Sequence, residues 1–145
     1  MKQYLSLTIT TMALVAVMAG AAQAQTSGAQ NLRAHIPFAF HVGAKELPAG
    51  DYKIAVLNPS SDRKVLQLRS VDGRVSAIVN TIDRSANAAA KSKLVFHRYG
   101  ESYYFAQAHV LGESTTLAAV KSSAERIEAE ATARTTSRSV VAVAF

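Results

Sequence analysis

Hydrophobic and polar positions alternate along most of this chain, most clearly from Ile36 to Leu57. There Ile36, Phe38, Phe40 and Val42 point one way, and Pro37, Ala39 and His41 the other. Beyond a loop ending in Leu47-Pro48-Ala49-Gly50, Tyr52, Ile54 and Val56 share a face opposite Lys53, Ala55 and Leu57. Successive side chains leave opposite faces of a pleated strand, so this period of two predicts half-buried strands. Pro48 pre-sets φ for a tight turn and Gly50 accepts positive φ, which predicts a first hairpin between the two segments. Pro37 has no N–H to give to a ladder and belongs on an edge or near a strand start.

A second hairpin is predicted from Lys64–Val71 and Arg74–Ile82, joined by Asp72-Gly73, a pair that favours a two-residue type I′ turn. That turn sets Leu68 opposite Ala77 and Leu66 opposite Val79 on an apolar face. Arg69 then meets Ser76, and Gln67 meets Ile78, on a mixed one. Residues 83–92 are small and polar and read as a loop, with a short helical turn as the alternative. A third hairpin spans Lys93–Tyr99 and Ser102–Val110, turning at Gly100-Glu101, and is the most aromatic part of the chain. After Gly112 the period changes. Ser122 with Glu125 three residues on is a capping-box signature, and Ala124, Ile127 and Ala131 recur at helical spacing. These predict a helix over about 123–134; residues 115–120 read as a strand before it, or as its first turns. Residues 139–145, SVVAVAF, are strand-like.

The amino terminus stands apart from this pattern. Lys2, the apolar run from Leu5 to Ala19 and the A-x-A site Ala22-Gln23-Ala24 form a secretory signal peptide cut after Ala24. An uncleaved anchor is the alternative, since the run approaches spanning length. Residues 25–33 read as a flexible leader, and 34–145 as a single β-rich domain. The whole chain has a formal net charge of +6, which becomes about +5 once Lys2 leaves with the signal. The absence of cysteine excludes disulfides, thiolate catalysis and cysteine-ligated zinc.

The expected fold is therefore mainly β: an antiparallel sandwich or partly closed barrel of six or seven strands with one C-terminal helix. Its core is expected at Ile36, Phe38, Phe40, Tyr52, Ile54, Leu66, Leu68, Phe96 and Phe105.

Three blocks carry a likeness to known proteins: Ile36-Pro37-Phe38-Ala39-Phe40-His41-Val42-Gly43, Leu47-Pro48-Ala49-Gly50-Asp51-Tyr52, and Lys93-Leu94-Val95-Phe96-His97-Arg98-Tyr99-Gly100 closed by Tyr104-Phe105. In this order they resemble a family of short exported bacterial β-rich proteins of unknown function. The resemblance implies a small exported β domain, often with a helical segment near its end, and no activity. The Leu47–Tyr52 block alone is also similar to a turn of Ig-like and prealbumin-like modules.

No catalytic constellation emerges. The histidines at 35, 41, 97 and 109 are not spaced as metal ligands. There is no Gly-x-Ser-x-Gly elbow or glycine-rich phosphate loop, and Asp51, Asp62, Asp72 and Asp83 fall in or beside turns. No cofactor, metal or catalytic residue is expected, and the chain reads as a non-enzymatic periplasmic or extracellular module with a binding or structural role. Arg69, Arg74, Arg84, Lys91, Lys93 and Arg98 surround the second and third hairpins, near Tyr99 and Tyr103. Export argues against nucleic acid, and these read as scattered cations on a solvated face; the functional alternative is attraction to anionic envelope polymers or lipid head groups as partners. The alternatives are carbohydrate binding through exposed Tyr99, Tyr103 or Tyr104, and an outer-membrane-associated component. The latter would be a minimal barrel, or a subunit pairing with another protein through an open sheet edge.

Overall fold

A computed structural model describes residues 32–133 and 139–144, so the predicted signal peptide and most of the leader lie outside the described residues. The chain is mainly β with one helix near its C-terminal end. Ten strands appear: β1 (Leu32–Ile36), β2 (Phe40–Val42), β3 (Lys45–Leu47), β4 (Gly50–Val56), β5 (Val65–Ser70), β6 (Ser76–Ser85), β7 (Lys93–Tyr99), β8 (Ser102–His109), β9 (Thr115–Ala119) and β10 (Ser139–Ala144). The helix, α1, spans Ser123–Ala133. The strand number exceeds the six or seven expected, chiefly because the region read as one hairpin holds four strands.

Pro37 is the cause. Lacking an N–H, it ends β1, and Ile36 pairs with Gly50, Ala34 with Tyr52 and Leu32 with Ile54 in an antiparallel ladder to β4. Strand β1 thus reaches back to Leu32 and takes in the end of the segment read as leader. Past Pro37 the chain forms its own small hairpin, Phe40 opposite Leu47 and Val42 opposite Lys45, around Gly43 at φ 63°. The facing survives this rearrangement: Ile36, Phe40 and Val42 are buried and Phe38 is half-buried.

The second hairpin has the predicted register, with Leu66 opposite Val79 and Leu68 opposite Ala77. Its turn differs. A type I′ turn needs positive φ at both central residues, and only Gly73 has it, at 76°. Gly73 N–H donates to the Ser70 carbonyl, while the Asp72 carboxylate accepts from Ser70 Oγ and from Arg74 N–H. The side chain of Asp72 satisfies the loop locally, as in Asx turns, and keeps its own backbone out of the left-handed region.

The remaining ladders order the sheet as β1-β4-β5-β6-β9-β8, after which β7 and then β10 follow along one edge of β8. The other edge of β8 is shared: Gln107–His109 pair with β9, and Tyr104 meets His41 of β2 in parallel. Residues 115–119 are strand, which settles the strand-or-helix alternative. Residues 139–144 pair with β7 along its length from Ser139↔Arg98 to Ala144↔Lys93, so the terminal segment completes the chain's own sheet. The path ends where it began: β10 lies within 8 Å of β1 at Cα level, yet no hydrogen-bonded ladder joins them among the described residues.

Side chains from β1 to β9 meet in one interior. Phe96 is at its centre, edge-on to Phe38, Phe40 and Phe105 at centroid distances of 5.2, 5.3 and 5.9 Å. Such edge-to-face geometry sets the positive ring edge against a negative face. Tyr52 packs on Phe40 and donates its hydroxyl to the Pro48 carbonyl at 2.6 Å, tying the Leu47–Gly50 turn to the core. Burial raises the pKa of that hydroxyl, and the nearby Asp72 adds to the effect. All nine residues expected in the core line it or pack against it, Phe38 being the partly buried one.

Candidate functional site

A second layer lies on the outer face of β7 and β8, and a bulge extends it along β8. Between Val95 and Phe96 the register shifts, so Phe105 and Ala108, three residues apart, both face the core. Val95, His97, Tyr99, Tyr104 and Ala106 are turned to the other side. There α1 lies against His97, Tyr99 and Tyr104. Tyr99 and Tyr104 are left 1% and 6% exposed, so the expectation of exposed tyrosine rings for carbohydrate fails at both: the helix occupies the space a sugar ring would take. Tyr103 faces the opposite way, half-buried and stacked on Phe38 at 4.1 Å with Arg98 above its ring. The three tyrosines therefore do not converge.

The helix is fastened by polar contacts. Ser122 Oγ accepts from Glu125 N–H at 3.1 Å, the first half of the capping box, and itself donates to the Gly43 carbonyl at 3.1 Å. The Glu125 carboxyl does not close the box. It turns inward, buried, to accept from His97 Nδ1 at 2.8 Å and from the Tyr99 hydroxyl at 3.2 Å. Lys121 Nζ donates to the Tyr99 oxygen at 3.3 Å. His41 stacks on Tyr104 at 4.7 Å. Burial raises the Tyr104 hydroxyl pKa, helped by Glu128 and Glu125 nearby. A carboxyl holding an imidazole is also how enzymes orient a general base. Here the same carboxyl binds a tyrosine while its backbone N–H is capped, which makes it a joint between α1, β7 and the β2–β3 turn.

Beside this joint an open trough of about 410 Å³ runs along the outer face of β6, β9 and β8. Ala106 and Ala118 form its floor, Ile82 and Val120 its apolar sides, and Arg84, Gln107 and Lys121 its polar rim; His97 and Glu125 of the joint also line it, the Glu125 carboxylate being engaged by His97 and Tyr99. Ladder registers explain the assembly. Arg84 is opposite Thr116, Thr116 opposite His109, and His109 opposite Lys93, so one row crosses four strands on the outer face. At about 4.8 Å per strand, Arg84 and Lys93 sit roughly 14 Å apart at the ends of that row. Between them, Thr116 Oγ1 and Gln107 Oε1 lie 3.1 Å from the two ring nitrogens of His109. Burial, and then the Lys93 charge, push the His109 pKa down from its ordinary value of 6.5. The next row, Ile82, Ala118, Gln107 and Val95, runs through the trough.

Of the six cations around the second and third hairpins, only Arg84 and Lys93 stand together in this row. Arg69 and Arg74 belong to the second hairpin, Lys91 to the 86–92 connection, and Arg98 is paired with Glu101. Sequence reasoning missed Lys121, Gln107 and the inward turn of Glu125. The signal for the last was His97 at an outward position of a strand that a capped helix must cover. No group of three or more potential ligands that could hold a metal occurs among the described residues, and no described helix is long and apolar enough to cross a membrane. Compared with known proteins, the chain matches no family model, no curated protein and no solved structure.

Proposed function

We propose that this chain is an exported, non-enzymatic binding module, built on a partly closed barrel, that takes an anionic ligand of the envelope or the extracellular space on the outer face of β6, β9, β8 and β7. The observation that carries the reading is the row Arg84–Thr116–His109–Lys93: two cations bracket a neutral-leaning imidazole, with no acidic residue in the row. An anion is the complement of such a row. The signal-peptide pattern from Lys2 to Ala24 supports export. The approach of β10 to β1 supports a barrel closing on itself over a sandwich of two sheets. The same row weighs against a minimal outer-membrane barrel, because Arg84 and Lys93 would stand in the lipid-facing band.

The test uses the mature chain from Gln25 and dextran sulfate as an anionic probe, at about 0.15 M salt, where attraction beyond about 8 Å is screened. The paired substitution R84Q/K93Q is expected to weaken binding by tenfold or more, and a control of equal charge loss, R33Q/R63Q, to leave it within twofold. Equal weakening by both pairs, or no binding, rejects the reading. Export is checked separately: osmotic shock should release a protein whose first residue is Gln25, whereas retention in the detergent-extracted membrane pellet favours the membrane-associated alternative.

A further inference from the structure

The basic row accounts for an anion, but not for the apolar trough beside it. Arg84 belongs to both: it ends the row, and it lines the trough with Ile82 of the same strand. Its guanidinium has no ion-pair partner among the described residues, whereas Lys64 is held by Asp83 at 2.8 Å and Arg98 by Glu101 at 3.1 Å. Ile82 and Val120 remain exposed although they flank a floor of two buried alanines. Small residues on the floor and larger apolar ones on the sides leave a furrow rather than a flat surface. Its volume of about 410 Å³ lies in the range of small-molecule sites, which are mostly apolar with a few placed polar groups. The far end is closed by Lys121, which is already turned onto the Tyr99 ring and hydroxyl.

Resting on the anionic-ligand reading above, we infer that the trough takes an amphipathic monoanion, an apolar acyl or aromatic body lying over Ala118 and Ala106 with its carboxylate, sulfate or phosphate head on Arg84. Gln107 supplies a second polar contact on the rim. A planar guanidinium suits such heads, because it donates two parallel N–H bonds to two oxygens. The apolar body removes Ile82 and Val120 from water. Neither part suffices alone, since an exposed ion pair is weak and the furrow is open to solvent.

Three probes separate the contributions: decanoate carries head and body, acetate the head, and decanol the body. In backbone amide NMR titrations of the mature chain, decanoate is expected to shift Ile82, Gln107, Ala118 and Val120. Acetate and decanol should bind at least tenfold more weakly. R84Q should weaken decanoate roughly tenfold, as loss of a hydrogen-bonded charge does. Ala118→Leu, which fills the floor, should abolish it with the thermal midpoint retained. Equal binding of acetate, equal binding of decanol, or decanoate shifts that ignore both substitutions would overturn the amphiphile. Dextran sulfate then distinguishes the levels: its retention through Arg84 and Lys93 with decanoate silent leaves the anionic module standing, and the failure of both probes removes the module as well.

Discussion

Glu125 shows how one side chain decides what a helix does. A glutamate at this position of a capping box ordinarily reaches back to the cap backbone. Here it is drawn inward because His97 and Tyr99 both offer donors from the strand below, within 2.8 and 3.2 Å. Glu125→Ala removes both bonds at once. We expect a loss of about 2–3 kcal/mol in urea unfolding, given that hydrogen bonds to such groups contribute about 1.5–3 kcal/mol each in favourable cases and are not additive. Faster amide exchange in α1 should accompany it. A cost under about 0.5 kcal/mol would mean that α1 is held by something else. His109 makes the second prediction. Its folded-state pKa lies below 6.5 because burial, and then Lys93, disfavour the charged ring. The unfolded chain therefore takes up a proton first as pH falls. Stability is complete above about 6.5 and declines below it, until the folded-state ring protonates as well. Urea midpoints measured between pH 7.5 and pH 5 should show this decline, and H109Q should flatten it.

At the scale of elements, strand facing was legible and strand pairing was not. Alternation is a property of the residues themselves, so Leu66, Leu68, Phe96 and Phe105 were readable as inward. Pairing depends on what arrives from elsewhere in the chain, and two irregularities redirected it. Pro37 split the first hairpin, sending residues 40–42 to β3 and β8. The bulge at Val95/Phe96 shifted the facing of the residues from Ala106 onward, turning Gln107 and His109 to the outer face. The helix shows the same limit. Its apolar stripe, Ala124, Ile127 and Ala131, predicts a buried face, yet all three are exposed, with Ile127 at 68%. The face that is covered carries Glu125 and Thr132, with Glu128 and Ala129 half-buried. Polar anchoring to β7 overrode the weak apolar moment. Ile127→Glu should consequently alter stability by less than about 0.5 kcal/mol, as exposed substitutions do. A loss above about 1.5 kcal/mol in thermal or urea unfolding would show that Ile127 is covered after all. The trough was beyond sequence reasoning for a related reason: Arg84, Gln107 and Ala118 meet only through two ladders, one of which pairs residues as far apart as Ile82 and Ala118.

For the whole molecule the question is what keeps a sheet that does not close from pairing with its neighbours. Unpaired strand edges recruit other chains, and natural sheets cover or shorten them. Here β10 covers β7. Its ladder runs over all seven residues of that strand but Tyr99, and it brings the end of the sheet up to β1. Strand β7 is among the most apolar of the set, with Leu94, Val95 and Phe96 consecutive and buried. Bared, it would offer both a hydrogen-bonding edge and an aggregation-prone run. A chain ending at Ala133 should therefore keep its β content but lose the edge cover. Sedimentation velocity at micromolar concentration is expected to give a monomer for the mature chain to Phe145 and self-association for the shortened one. A shortened chain that stays monomeric would mean that β1, not β10, shields the edge of β7.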